Sequence, residues 1–451
     1  MGKEHILTDI PDYQMFLSVD ELNAALLQLK HDHPGVVQVS EAGRSRAGKP
    51  LLYATIGNGS RHALFYGCPH PNEPIGAMMS HYMARAIAED EAYREALDFT
   101  FTIVPVVDVD GTQLNEGWFK GPFTLYHYAR HFFRPMPQAQ VEWTFPMDYK
   151  QYRFDSPMPE TQALMRIIDE TRPKFIYSLH NAGFGGAYWY MSLSQSQETY
   201  KALYAACESA RVPLDLGEPE MPFAVPFAQA VYKMPYASDM YDYFEQYSSG
   251  DPAVKMSGGE CSGAYAGKNT MQLVTELPYF YETRVQSQRE LLYPRAEAVA
   301  QKLALQEEHL AALGSGFEAI RDGCAADNPF AQMLGYTLGY LPASIEGERA
   351  FIRGNERFKQ PCTEAEAFSN LEMTRFYQLL NWGMLIRAAE WEEVRGGICD
   401  TGALANTKEQ GEEILRQEAE SLESALDYSV IPIRDLVAVQ LASGLEILER
   451  L

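Results

Sequence analysis

Four short apolar runs constrain this chain more than any other feature. They are HALFYGC (62–68), FTFTIVPVV (99–107), PKFIYSL (173–179) and TMQLVTE (270–276). Each is too short for a buried helix and too continuously apolar for a strand with one wet face. They therefore read as strands buried on both sides of a sheet. Between them lie stretches of helical periodicity: Pro74 to Glu89, PETQALMRIIDETR (159–172) and QETYKALYAACESA (197–210). Pro159 suits an early helical position. Alternation of this kind predicts an α/β fold with a mixed, mostly parallel central sheet flanked by helices. Upstream, SVDELNAALLQLKHDH (18–33) opens on a Ser18…Glu21 capping box, the mark of a helix start. VVQVSEAG (36–43) and PLLYATIG (50–57), joined by RSRAGK, read as a hairpin.

The second run is expected to close at an Asp-Gly turn, Asp110-Gly111. Asn115 to Tyr152 is expected to be a long irregular loop, and Val212 to Asn269 a Pro/Met/Tyr-rich excursion. From residue 286 the character changes to long Glu/Ala/Leu-rich helical segments. The chain thus divides into a catalytic domain (1–285) and an extra C-terminal α-helical region (286–451), through which a homo-oligomer could form.

Composition removes several function classes. A formal net charge of -24 argues against nucleic acid and anionic membrane as partners, since both want Lys/Arg patches. No run of 18 apolar residues and no apolar N-terminal segment occurs, so neither a membrane span nor a secretory leader is expected. Cys68, Cys207, Cys261, Cys324, Cys362 and Cys399 lack paired spacing and read as free thiols. A cytoplasmic protein is the expectation.

The chemistry sits where the apolar runs end. His70 and Glu73, three apart at a strand-to-helix junction, can turn towards one point. His180 ends the third run ahead of a Gly-rich loop. Two imidazoles and a carboxylate form the donor set of a catalytic zinc site, which leaves a position for water. Open α/β sheets gather such groups at the carboxyl ends of their strands. Glu276 ends the fourth run, and its apolar approach suits a general base for water activated by Zn2+. Aromatic residues in the intervening loops, Tyr126, Tyr128, Phe132, Phe133, Trp143 and Trp189, are candidates for a substrate pocket, Trp143 first among them.

These motifs resemble those of a known family. HPNE (70–73), SLHN (178–181) and TEL (275–277) look like the metal-binding and catalytic motifs of the M14 zinc metallocarboxypeptidases. The likeness runs from about residue 15 to 285. It takes in the hairpin segment, VPVVDVDGTQLN (104–115) and SPMPETQAL (156–164). The resemblance implies an eight-stranded mixed sheet and hydrolysis of a peptide or peptide-like amide. It also implies an arginine beside the scissile carbonyl, here Arg134, with Arg130 as second choice and a substrate contact. Tyr265 takes the place of the family's mobile active-site tyrosine, and Asn72 stands where many relatives carry a substrate-binding arginine. One departure is plain. Where the family has an Asn-Arg pair that clamps a terminal carboxylate, this chain reads VEWTFP (141–146). Arg44, Arg46, Lys150 and Arg153 are the replacements considered. Two other readings remain: a zinc amidohydrolase or deacylase of a small acylated amino acid, and a non-catalytic binding relative.

Overall fold

A computed structural model describes residues 3–396 and 400–451. Cys399 lies outside the described residues; Cys68, Cys207, Cys261 and Cys362 are free thiols.

The helix expected at 18–33 forms over Val19–Asp32 (α1), and both halves of its capping box are made. A nine-stranded sheet is built from β1 (Val37–Arg44), β2 (Pro50–Ile56), β3 (Arg61–Gly67), β4 (Phe99–Val104), β5 (Phe175–Leu179), β6 (Tyr188–Met191), β7 (Pro226–Ala228), β8 (Val231–Lys233) and β9 (Met271–Glu276). Their spatial order is β1-β2-β4-β3-β5-β9-β6-β8-β7. β4–β3, β3–β5, β5–β9 and β6–β8 pair in parallel, and the remaining neighbours are antiparallel. The architecture is mixed α/β, as the alternation of runs implied, with nine strands where the resemblance implied eight.

Register places the chemistry. Gly67, Leu179 and Thr275 face one another across β3, β5 and β9. His180 and Glu276 each follow that row by one residue, and His70 by three. Helices α2 (Ile75–Glu89), α3 (Pro159–Thr171) and α4 (Gln197–Ala210) cover the sheet. α2 can approach only because position 76 is glycine: a Cβ there would lie 2.4 Å from Leu179 Cβ.

Three local expectations need correction. Asp110-Gly111 is not a turn but the first turn of a helix, Val109–Phe119, capped by Asp108, whose Oδ1 accepts the Gly111 N–H at 3.0 Å. Gly111 is required for contact: a Cβ would sit 2.8 Å from Pro71, beside the His70 loop. The stretch 115–152 is not one long loop; it holds the rest of that helix, a helix over Leu125–His131 and a hairpin of Met147–Tyr149 with Tyr152–Phe154. The excursion 212–269 contributes β7, β8 and a helix over Ala237–Tyr247.

Beyond residue 286 come α5 (Arg295–Arg321), α6 (Pro329–Arg353), α7 (Thr374–Arg395), α8 (Thr401–Ala425) and α9 (Ile433–Leu448). One apolar cluster includes Phe65, Tyr177 and Leu273 of the sheet together with Phe376, Leu385 and Val437 of these helices. α9 packs on α2, α4 and β5, with Gly444 against the Tyr177 ring. Among the described residues no helix is long and apolar enough to cross a membrane.

Candidate metal centre

β3 hands the chain to His70 through Cys68, which is held at φ 49°, a left-handed conformation that a residue other than glycine adopts only under constraint from its surroundings. The Glu73 N–H then bonds back to the His70 carbonyl at 3.1 Å. This tight turn brings His70 Nδ1 to 3.0 Å from Glu73 Oε1. His180 Nδ1 lies 3.1 Å from His70 Nδ1 and 3.1 Å from Glu73 Oε2. All three side chains are buried, and one donor atom from each fits within a 4.8 Å span.

The donor set fits a divalent metal. Glu73 Oε2 is a buried carboxylate oxygen with no hydrogen-bond donor, because its approach to His180 lacks the alignment of one. Two imidazoles and a carboxylate suit zinc. The second nitrogen of His180 is held in place: Nε2 lies 2.8 Å from Ser178 Oγ, which in turn donates to Glu142 Oε2 at 3.1 Å. Such outer partners fix ring orientation and leave Nδ1 free for a metal. Glu142 also accepts from the Tyr66 hydroxyl and from Ser262 N and Oγ, both at 3.2 Å. From the other side, Gln440 of α9 donates to the His180 carbonyl at 3.1 Å.

The electrostatics are divided. Burial, reinforced by Arg134, pushes His70 down to about 3. Burial also opposes charge on His180, but Glu73 outweighs it and raises the imidazole to about 9. Glu73 itself is pushed up by burial and pulled down further by the two histidines, ending below the ordinary carboxylate range. Glu276 rises well above that range through burial and the Glu73 charge, partly opposed by His180. Its Oε1 stands 3.9 Å from His180 Nδ1. Arg134 Nη1 donates to Glu73 Oε1 at 3.2 Å, and Nη2 lies 2.8 Å from His70 Nδ1.

Two cavities meet at this cluster, and His70, Arg134 and Glu276 line both. One, of about 240 Å³, is largely apolar and includes Trp143, Met234, Val274 and Tyr340. The other, of about 270 Å³, is the more polar of the two.

Other sequence candidates are placed elsewhere. Tyr265 lines neither cavity; its hydroxyl bonds Asp169 at 2.9 Å. Arg130 binds Glu390 and Glu412, at 2.5 and 2.8 Å, and so docks the Leu125–His131 helix onto α7 and α8. Asn72 is buried and lines neither cavity. Tyr128, Phe132, Phe133 and Trp189 are core, and the Tyr126 hydroxyl is taken by Glu412.

The four basic residues considered for the missing clamp all carry acidic partners: Arg44 has Glu41, Arg46 has Asp108 and Glu160, Lys150 has Asp242 and Glu245, and Arg153 has Asp155. Sequence reasoning missed Lys255. It lines the apolar cavity and, among the described residues, forms no ion pair. Nothing in MSGG or its surroundings marks it in the sequence, because the feature is a lack of partners in space.

Residues 22–299 match the sequence model of the zinc carboxypeptidases. Over 109 residues, 22% of this chain, the sequence is 31% identical to carboxypeptidase A6 of Mus musculus, of which the match covers 25%. The chain thus spans about a quarter of the length of that curated relative. Among solved structures, carboxypeptidase A from Helicoverpa armigera is similar at 16% identity, over 58% of this chain and 65% of that one, with a TM-score of 0.38. A metallo-carboxypeptidase from Burkholderia cenocepacia is similar at 17% identity, over 58% and 60%, with a TM-score of 0.34.

Proposed function

The chain belongs to the zinc carboxypeptidase family, and from that premise we propose that it is a zinc-dependent metallopeptidase of carboxypeptidase type, hydrolysing a peptide or peptide-like amide. The observation that carries this reading is the convergence of His70, Glu73 and His180 at the junction of two cavities, with Glu276 and Arg134 at the rim. Zinc held by those three side chains would acidify a water and polarise the scissile carbonyl.

The chain's own groups supply the rest. Glu276, buried at the rim of the site, would be held as the carboxylate by the charge of the bound metal, and it takes a proton from the attacking water and returns it to the leaving amine. Arg134 reaches into the same space and donates to the carbonyl oxygen as that atom gains charge. Trp143 and Met234 shape the apolar cavity for an apolar side chain. Lys255 takes the substrate's carboxylate in place of the absent Asn-Arg pair. A lysine is a point charge without the arginine fork, so carboxylate recognition is looser than a bidentate clamp gives. The free thiols fit a reducing, cytoplasmic setting.

The test is Glu276→Gln beside His70→Ala and His180→Ala. Elemental analysis should find about one zinc per chain in wild type and in Glu276→Gln, and none in the histidine variants. Glu276→Gln should lower kcat on the order of a hundred- to ten-thousand-fold. Normal turnover by that variant would remove Glu276 as the base.

A further inference from the structure

The hydrolytic chemistry leaves most of the polar cavity unexplained. Its outer wall comes from the C-terminal helices: Lys302 of α5, Asn370 of a π-helical turn over Ser369–Met373, and Thr374 and Tyr377 of α7. Insertions of π geometry are frequent at functional sites. Asn370 is 1% exposed. Its Nδ2 donates to Glu218 Oε1 at 3.0 Å and to the Glu366 carbonyl at 2.8 Å, which fixes the orientation of the amide. Its Oδ1 then has no donor.

Asn181, 3% exposed, faces the same space. Its Oδ1 accepts from Ile75 N at 3.1 Å, and its Nδ2 has no acceptor. Buried polar atoms without partners are rare, and in a cavity wall they mark where a ligand's polar groups go.

The charges point one way. Lys302 is answered by Glu348 at 2.5 Å, and Glu218 by Arg295, whose Nε donates at 2.7 Å. Among the described residues, Asp215 and Glu220 pair with no cation. Asp215 accepts the N–H groups of Gly186 and Gly217, at 3.2 and 3.1 Å, and Glu220 accepts the Tyr190 hydroxyl at 3.2 Å. The lobe therefore presents two uncompensated carboxylates and an orphan carbonyl acceptor, with one orphan amide donor nearby. A carboxylate ligand would be repelled. A primary ammonium answers the acceptors, and the carbonyl of the amide next to it answers Asn181 Nδ2.

We propose that the polar lobe, walled by the C-terminal helices, is a subsite for the free α-ammonium of short peptide substrates, on the acyl side of the bond that is cut. This rests on the hydrolytic reading above, and the experiment separates the two.

Full-length zinc-loaded protein is given the tripeptide Ala-Ala-Phe, its N-acetyl form and N-acetyl-Ala-Lys-Phe. Hydrolysis is followed in wild type and Glu220→Gln, and binding by calorimetry in Glu276→Gln. Acetylation should lower kcat/KM in wild type by about tenfold to a hundredfold, the scale of hydrogen bonds to a charged group. Glu220→Gln, a change at an exposed position, should shrink that ratio at least threefold. Equal hydrolysis of free and acetylated peptide, or an unchanged ratio in Glu220→Gln, would overturn the subsite while leaving the peptidase reading intact. Rescue by the lysine side chain would overturn the assignment to the α-amine. Preferential binding of the free peptide without hydrolysis by wild type would support the subsite and sink the peptidase. A peptide neither bound nor cut would overturn both.

Discussion

Arg46 lies over two carboxylates that have no exposure of their own: Asp108 Oδ1 at 3.1 Å and Glu160 Oε1 at 3.4 Å. Asp108 Oδ2 and Glu160 Oε2 find no further donor. Arg46→Met keeps the apolar stem of the side chain and removes its charge. Stripping one partner from a buried ion pair costs about 3–5 kcal/mol. The Arg46 side chain is 37% exposed, so solvent screens part of that interaction, and the expected loss at pH 8 is about 2–3 kcal/mol.

The pH dependence follows from Asp108. Burial raises its carboxyl from 3.8 to about 6, against the pull of Arg46. A carboxyl whose folded pKa exceeds its unfolded one favours folding when protonated. Its contribution is therefore present below about pH 4 and is lost as pH rises through about 6. Without Arg46 the folded pKa climbs further and the loss continues above pH 6. The cost of Arg46→Met should thus be larger at pH 8 than at pH 5. Urea denaturation at both values measures it. Adding Asp108→Asn and Glu160→Gln, which keep the acceptors for Gly111 N and Arg46 N, should restore most of the stability. A loss under about 1 kcal/mol at pH 8, or an equal loss at the two pH values, would refute the reasoning.

Other outcomes are expected from the same geometry. Ser178→Ala releases His180 Nε2 and should weaken zinc about tenfold to a hundredfold in competition with a chelator; unchanged affinity would deny Ser178 its orienting role. Arg130→Ala should cost about 1 kcal/mol or less, since its acidic partners are 39% and 30% exposed, and should leave kcat/KM unchanged; a fall in turnover would return Arg130 to the substrate. Gly444→Val places atoms where a Cβ alone comes within 2.7 Å of the Tyr177 ring, and thermal unfolding should show about 1–3 kcal/mol lost. Lys255→Met should raise KM for peptides with a free terminal carboxylate and leave their amides unaffected, compared by steady-state kinetics on matched pairs.

The buried strands were legible because each is a short apolar run with a distinctive residue at its end. His70, Glu73, His180 and Glu276 could be picked out for the same reason: strand-end position and ligand chemistry are both local properties. The capping box at Ser18 and Glu21 was equally local, and it forms as read. Asp110-Gly111 misled because Asp-Gly favours a turn locally, whereas capping by Asp108 and the fit against Pro71 draw it into a helix. β6 to β8 were missed because strands of three or four residues take their conformation from neighbours in the sheet.

What the sequence determined by itself is therefore the set of α/β elements and the donor types at their ends. The tertiary structure alone decided which charges are spent and which are free. Arg130 and Arg46 look available in the sequence and are both taken by carboxylates distant along the chain. Lys255, Asp215 and Glu220 carry no local mark, yet among the described residues they stand in the cavities without an ion-pair partner. The same holds for the C-terminal helices, whose Asn370 and Lys302 wall the polar lobe and whose Gln440 holds the His180 backbone. Secondary structure and ligand type depend on near neighbours in sequence. Charge compensation and cavity shape depend on contacts between residues far apart in the sequence, which only the folded chain brings together.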